Sequence, residues 1–118
     1  MKKNKTQEIN YLDLIPEKDK NLEWHVDEKD LVVLKVENKG FYNRIAQKFF
    51  HRPKYMNVHL DAQGSYIWPQ IDGKKTVEEL AKLQKERFGE EAEPLYERII
   101  KYMQILEGRH FIKFINLK

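Results

Sequence analysis

The order of patterns along this chain predicts an α+β domain in which strands come first and helices follow. Three observations carry that reading. Residues 22–26 and 31–36 form two strand-like runs joined by a short polar link, and residues 55–60 form a third run that passes straight into a helix start at Asp61. From Thr76 onward the apolar spacing is helical and bounded by recognisable caps. The expected architecture is an N-terminal three-stranded antiparallel sheet followed by three helices, with an extra short basic helix inserted before the third strand.

A chain of 118 residues suffices for one modest domain and is short for two. The expected division is a partly flexible N-terminal segment, residues 1–21, and a folded domain, residues 22–118. Its 41% hydrophobic content supports a core, while 35% charged residues and a mean hydropathy of −0.78 argue against a spanning protein. The basic start, Met1 to Lys5, has no apolar stretch behind it and does not read as a secretory signal, so a cytoplasmic location is expected. The absence of cysteine removes disulfides, thiolate metal sites and cysteine nucleophiles.

Net charge is only +3, but residues 38–60 hold five basic side chains (Lys39, Arg44, Lys48, Arg52, Lys54) and no acidic one, so the rest of the chain sums to −2. The positive charge is therefore a patch.

Taken in order, the first eight or so residues are expected to be mobile. Tyr11, Leu12, Leu14 and Ile15 form an apolar knot stopped by Pro16, read as a short strand or turn packing on its own domain or, as the alternative, a segment that meets a second copy. The charged run Glu17, Lys18, Asp19, Lys20 reads as solvated loop. Residues 22–26 alternate apolar and polar, residues 31–36 are rich in β-branched side chains, and the two predict a hairpin. In residues 41–50, Phe41, Ile45 and Phe49 share one helical face while Arg44 and Lys48 lie on another. The ordinary reading is an insertion docked on the sheet, and the sharper one a nucleic-acid or anionic-membrane contact.

In the third strand Met56, Val58 and Leu60 point one way and Tyr55, Asn57 and His59 the other. Asp61 caps the first helix, which Pro69 should bend or shorten. Asp72-Gly73 marks a turn, Thr76 and Glu79 form a capping box for the second helix, and Gly89 ends it. The third helix starts near Pro94 and runs to about Glu107. At ~100° per residue its apolar side chains, from Tyr102 through Leu95, Leu106, Ile99, Met103 and Tyr96 to Ile100, sweep roughly 160°. That exceeds the ~100° of a single packing face: the ordinary reading is a central helix contacting both the sheet and the other helices, and the functional one is that one edge lines a groove. Residues 111–115 alternate partly and predict a last strand.

Catalytic chemistry finds no foothold. His25, His51, His59 and His110 lack metal-ligand spacing, the five glycines stand at turns rather than in a phosphate loop, and the carboxylates lie on solvated helix faces or caps. The chain reads as a binder without cofactor or metal, not an enzyme.

Residues 59–112 resemble the pyrroloquinoline quinone biosynthesis protein D (PqqD)-like family. The pattern is carried by Leu60, Asp61, Gly64, Ile67, Trp68, Asp72, Gly73, Thr76, Val77, Glu79 and Leu80, and spans about half the chain. The resemblance implies a winged helix-turn-helix that serves as a RiPP recognition element. In it the leader peptide of a ribosomally made precursor adds as a strand beside the third strand, against the third helix, for a maturation enzyme of radical-SAM type. Carried over by position, the peptide-binding residues are Tyr55, Met56, Asn57, Val58, His59 and Leu60 on the strand and Tyr96, Ile100, Lys101 and Met103 on the helix. An open strand edge offers unpaired backbone groups and side-chain pockets add selection, which agrees with that mode.

Two other functions stand beside it. A helix-turn-helix suggests nucleic acid, but the second and third helices carry five basic residues against eight acidic ones, a net −3, where a phosphate-facing helix needs positive charge. A structural or oligomerising role is the third, since an open edge also invites a homodimer. No membrane partner is expected.

Overall fold

The computed structural model describes residues 10–37 and 55–117. The expected short basic helix, the positive patch and the expected mobility of the first residues fall outside them. Among the described residues the fold is mixed α+β, with strands β1 (Pro16–Lys18), β2 (Glu23–Val26), β3 (Val32–Glu37), β4 (Tyr55–His59) and β5 (Ile112–Phe114), and helices α1 (Ala62–Ile67), α2 (Val77–Phe88) and α3 (Leu95–Gly108). Strands β2, β3 and β4 make a three-stranded antiparallel sheet in that order, and β1 pairs with β5 in a separate two-stranded ladder.

The hairpin forms as its pattern predicts. Asp27 closes the link by accepting from the backbone N–H of Lys29 and Leu31 through Oδ1, and Asp30 takes a left-handed conformation that an aspartate tolerates. Val32 and Leu34 then point into the core beneath Trp68 and Met103 of the helical layer, all within one buried cluster. Ser65, almost fully buried, ties α1 to the sheet: its hydroxyl accepts from Val32 N at 2.8 Å and donates to Leu60 O at 3.2 Å.

Helix starts follow their sequence signals. Asp61 accepts from Gly64 N, and Thr76 and Glu79 bond reciprocally as a capping box. Pro69 sits at the start of a 3-10 turn, Trp68–Gln70, which ends α1 after six residues. Gly89 caps α2 with φ +60. Helix α3 begins at Leu95, one residue after Pro94.

The knot packs on its own domain as a turn, the 3-10 turn Tyr11–Asp13 followed by buried Leu14. The run read as solvated loop departs from expectation, since Glu17 and Lys18 belong to β1. Its partner strand lies more than ninety residues away, with Pro16 opposite Phe114 and Lys18 opposite Ile112, so no local pattern announces it. Lys18 buries its stem and donates its ammonium to Ile71 O at 2.8 Å and to Trp68 O and Pro69 O at 3.4 Å, closing the carbonyl end of the 3-10 turn. The group lies 5.5 Å from the Trp24 ring centre and 5.9 Å from that of Trp68. Burial lowers its pKa, and nearby Asp72 opposes that shift. Backbone bonds from Gly73 N to Pro16 O and from Val77 N to Leu14 O stitch residues 14–16 to the turn before α2.

Candidate functional site: a strand edge and the cleft beside it

Strand β4 stands at the rim of its sheet, and among the described residues nothing pairs with its far side. The ladder to β3 runs unbroken from Val33 opposite His59 to Glu37 opposite Tyr55, and Leu60 N extends it by donating to Val32 O. In an antiparallel pair, hydrogen-bonding direction alternates along each strand. Leu60, Val58 and Met56 therefore turn their backbone groups toward β3, while Tyr55, Asn57 and His59 turn theirs to the open rim. Val58 and Leu60 pack partly on the core, whereas Tyr55 and Met56 remain 43% and 48% exposed. Lys35 lies 4.6 Å from the Tyr55 ring centre, a cation–π contact on the outer face.

Past Asp61 the rim leads into a cleft of ≈ 230 Å³ bounded by α1, α2 and α3. Its shape depends on a close approach. Tyr102 donates its hydroxyl to Gly64 O at 2.9 Å, and a Cβ placed on Gly64 would sit 3.1 Å from that hydroxyl oxygen and 3.2 Å from Asp61 Oδ1. Burial, helped by the charge of Asp61, raises the Tyr102 pKa, so the phenol stays a donor. At the α2 end, Gln84 donates to Gln63 Oε1, Gln63 donates to Glu91 O at 2.9 Å, and Arg98 Nη1 donates to the same carbonyl at 2.7 Å. The walls are apolar at Ala92, Leu95, Ile99 and Ile105, with Arg98 and Lys101 supplying positive charge.

The predicted helix residues separate in space. Lys101 lines this cleft. Met103 is fully buried with Ile99 and Leu106, so it supports the core and presents no surface pocket. Tyr96 and Ile100 lie ~140° and ~100° from Lys101 around the helix, on the flank that also carries Glu107. Glu107 sits near enough to Tyr11 that its charge, after burial, pushes that phenol up to about 12. The Glu107 end of that flank thus lies near Tyr11. The wall beside Asp61 is made instead by Arg98, Tyr102 and Ile105. Tyr102 was legible as the opposite end of the apolar arc, and Ile105 as an isolated apolar residue outside it. The buried amide of Gln84 has no comparable sequence signal.

The described histidines do not converge with other metal-ligating groups. His25 and His59 flank Val33 on neighbouring strands, and among the described residues no group of three or more His, Cys, Asp or Glu is placed to hold a metal. No described helix is long and apolar enough to cross a membrane.

The described residues thus form a small α+β unit with an exposed strand rim beside a helical cleft. Residues 31–112 match the family described as Coenzyme PQQ synthesis protein D (PqqD), and the chain belongs to that family. No curated protein and no solved structure gives a significant match.

Proposed function

We propose that this protein is a peptide-recognition module with a winged helix-turn-helix arrangement. The leader peptide of a ribosomally made precursor adds along β4 as a fourth strand and is thereby presented to a maturation enzyme of radical-SAM type. The observation that carries the reading is the rim of β4, unpaired among the described residues, with the outward backbone groups of Tyr55, Asn57 and His59 and the half-exposed side chains of Tyr55 and Met56. Main-chain pairing supplies affinity that is indifferent to sequence, and neighbouring pockets supply selection. Family membership supports the same role, because PqqD-type proteins work with a precursor peptide and its maturation enzyme.

Binding at a rim needs no catalytic group in this chain. Its work is to raise the local concentration of one peptide near a partner's active site. Titrating labelled protein with short precursor peptides encoded beside its gene tests the reading. The amides of residues 55–60 should shift in a saturable way with at least one such peptide, and silence with all of them would overturn it.

A further inference from the structure

We infer that β4 also pairs edge to edge with a second copy of this chain, so that self-association and peptide addition exclude each other. The exclusion rests on the strand-addition reading, whereas the pairing rests on the strand alone. Every other described strand carries a charged side chain: Glu17 and Lys18 in β1, Glu23 in β2, Lys35 and Glu37 in β3, and Lys113 in β5. Strand β4 reads Tyr-Met-Asn-Val-His, with neither a charge nor a proline. Those are the residues that keep sheet edges from joining one another, and β4 stands at the rim without them.

One register satisfies the whole rim. Antiparallel pairing about a two-fold axis at Asn57 sets Asn57 against its own copy, and Tyr55 against His59 of the second copy at both ends. All three are outward-facing positions, and each hydrogen-bonded pair exchanges two N–H···O=C bonds, so three pairs give about six. A slip of two residues leaves one outward position on each copy facing past the end of the strand. In the centred register Met56, 48% exposed in the single chain, is covered by Val58 of the second copy on the core-facing side. Tyr55 and His59 meet on the outer face, and apolar and aromatic pairs of this kind stabilise a sheet. No like charges are brought together within the strand pair. Lys35, across from Asn57 on β3, lies three strand spacings from its copy, ~14 Å, beyond the Debye length of ~8 Å. A lone strand pair falls short of the ~1,200 Å² of a stable interface. The monomer therefore dominates in dilute solution, and the dimer grows by mass action.

The test uses the full wild-type chain and variants with one cysteine each, in a protein that otherwise has none. When the free wild-type protein is concentrated roughly hundredfold, its sedimenting mass should rise from monomer toward dimer. Amide exchange at Asn57 and His59 should slow over the same range, with Met56 and Val58 little changed. Under mild oxidation Asn57→Cys should cross-link to itself, because the ~5.5 Å Cα separation of a hydrogen-bonded pair fits a disulfide. Tyr55→Cys should not, since its copies stand four residues apart along the strand, ~14 Å, yet it should cross-link when mixed with His59→Cys. A precursor peptide that shifts residues 55–60 should return the wild-type mass to that of the monomer. A wild-type chain that stays monomeric throughout, or Tyr55→Cys cross-linking to itself as fast as Asn57→Cys, would overturn the pairing. A bound peptide that leaves the dimer intact would overturn the exclusion. The two readings fail separately. Precursor peptides that move residues 55–60 of a chain that never dimerises would remove self-pairing alone. A dimer cross-linked at position 57, with dilute wild-type β4 silent toward every precursor, would remove strand addition alone.

Discussion

Replacing Gly64 by alanine sets two opposed effects against each other. In an ordinary helix the change stabilises by roughly 0.5–1 kcal/mol, because alanine loses less backbone freedom on folding. Here the new Cβ would stand 3.1 Å from the Tyr102 hydroxyl, 3.2 Å from Tyr102 Cε1 and 3.2 Å from Asp61 Oδ1. Relieving those contacts moves two groups that make bonds. Displacing Tyr102 loses its hydrogen bond to Gly64 O, about 1 kcal/mol, and displacing Asp61 weakens the cap of α1, about another 1 kcal/mol. The expected net effect is a loss of about 1 kcal/mol. With unfolding entropy near 2.1 cal/mol/K per residue, a chain of 118 residues then melts about 4 °C lower.

Calorimetry and urea unfolding measure this directly, and a cycle with Tyr102→Phe locates the cause. Tyr102→Phe alone should cost less than 1 kcal/mol, because Gly64 O still accepts from Trp68 N. In that background the penalty of Gly64→Ala should shrink by at least ~0.5 kcal/mol, the signature of contacting residues. If Gly64→Ala is as stable as the parent, or if the two changes add within ~0.3 kcal/mol, the close approach does not constrain this position.

Three further outcomes follow from the same geometry. Lys18→Met keeps the apolar stem but abandons three carbonyls, and should cost about 1–2 kcal/mol by urea unfolding. Asp72, held by Lys75 and by the N–H groups of Lys74 and Lys75, has its pKa depressed below the ordinary 3.8. It is thus a group whose stabilisation is present above pH ~4 and lost as pH falls further. The stability gap between the parent and Asp72→Ala should accordingly be widest near neutrality and narrow progressively as pH falls below ~4. Met103→Ala should destabilise by roughly 2–5 kcal/mol as a core truncation, whereas exposed Tyr96→Ala should cost under ~0.5 kcal/mol. Similar melting temperatures for the two variants would refute the placement of Met103.

What the sequence revealed and what it hid divide along the range of the interactions. The Asp61 cap, the Thr76–Glu79 box, the Gly89 stop and the break at Pro69 are all set by residues within four positions of one another, and each forms where its signal stands. The hairpin and the third strand were legible because alternation is local. Strand β1 was not, because its stability comes from β5 and from an ammonium seated on carbonyls some fifty positions away. The candidate site shows the same division. The strand was readable from the pattern of residues 55–60, and its place at the rim was implied by the family resemblance. The side of α3 that stands beside Asp61 was not, since a 160° apolar arc has two ends and periodicity alone does not rank them. Contact of Tyr102 with Gly64 chooses the end that stands beside Asp61.

The central claim is that a peptide joins β4 through its outward backbone groups. Amide hydrogen exchange at single-residue resolution, with and without a precursor peptide encoded beside the gene, tests it most directly. Strand addition predicts that Asn57 and His59 slow strongly on binding, while Met56 and Val58, already directed toward β3, change little. A peptide that binds by shift or calorimetry yet leaves exchange at Asn57 and His59 unchanged would contradict the account.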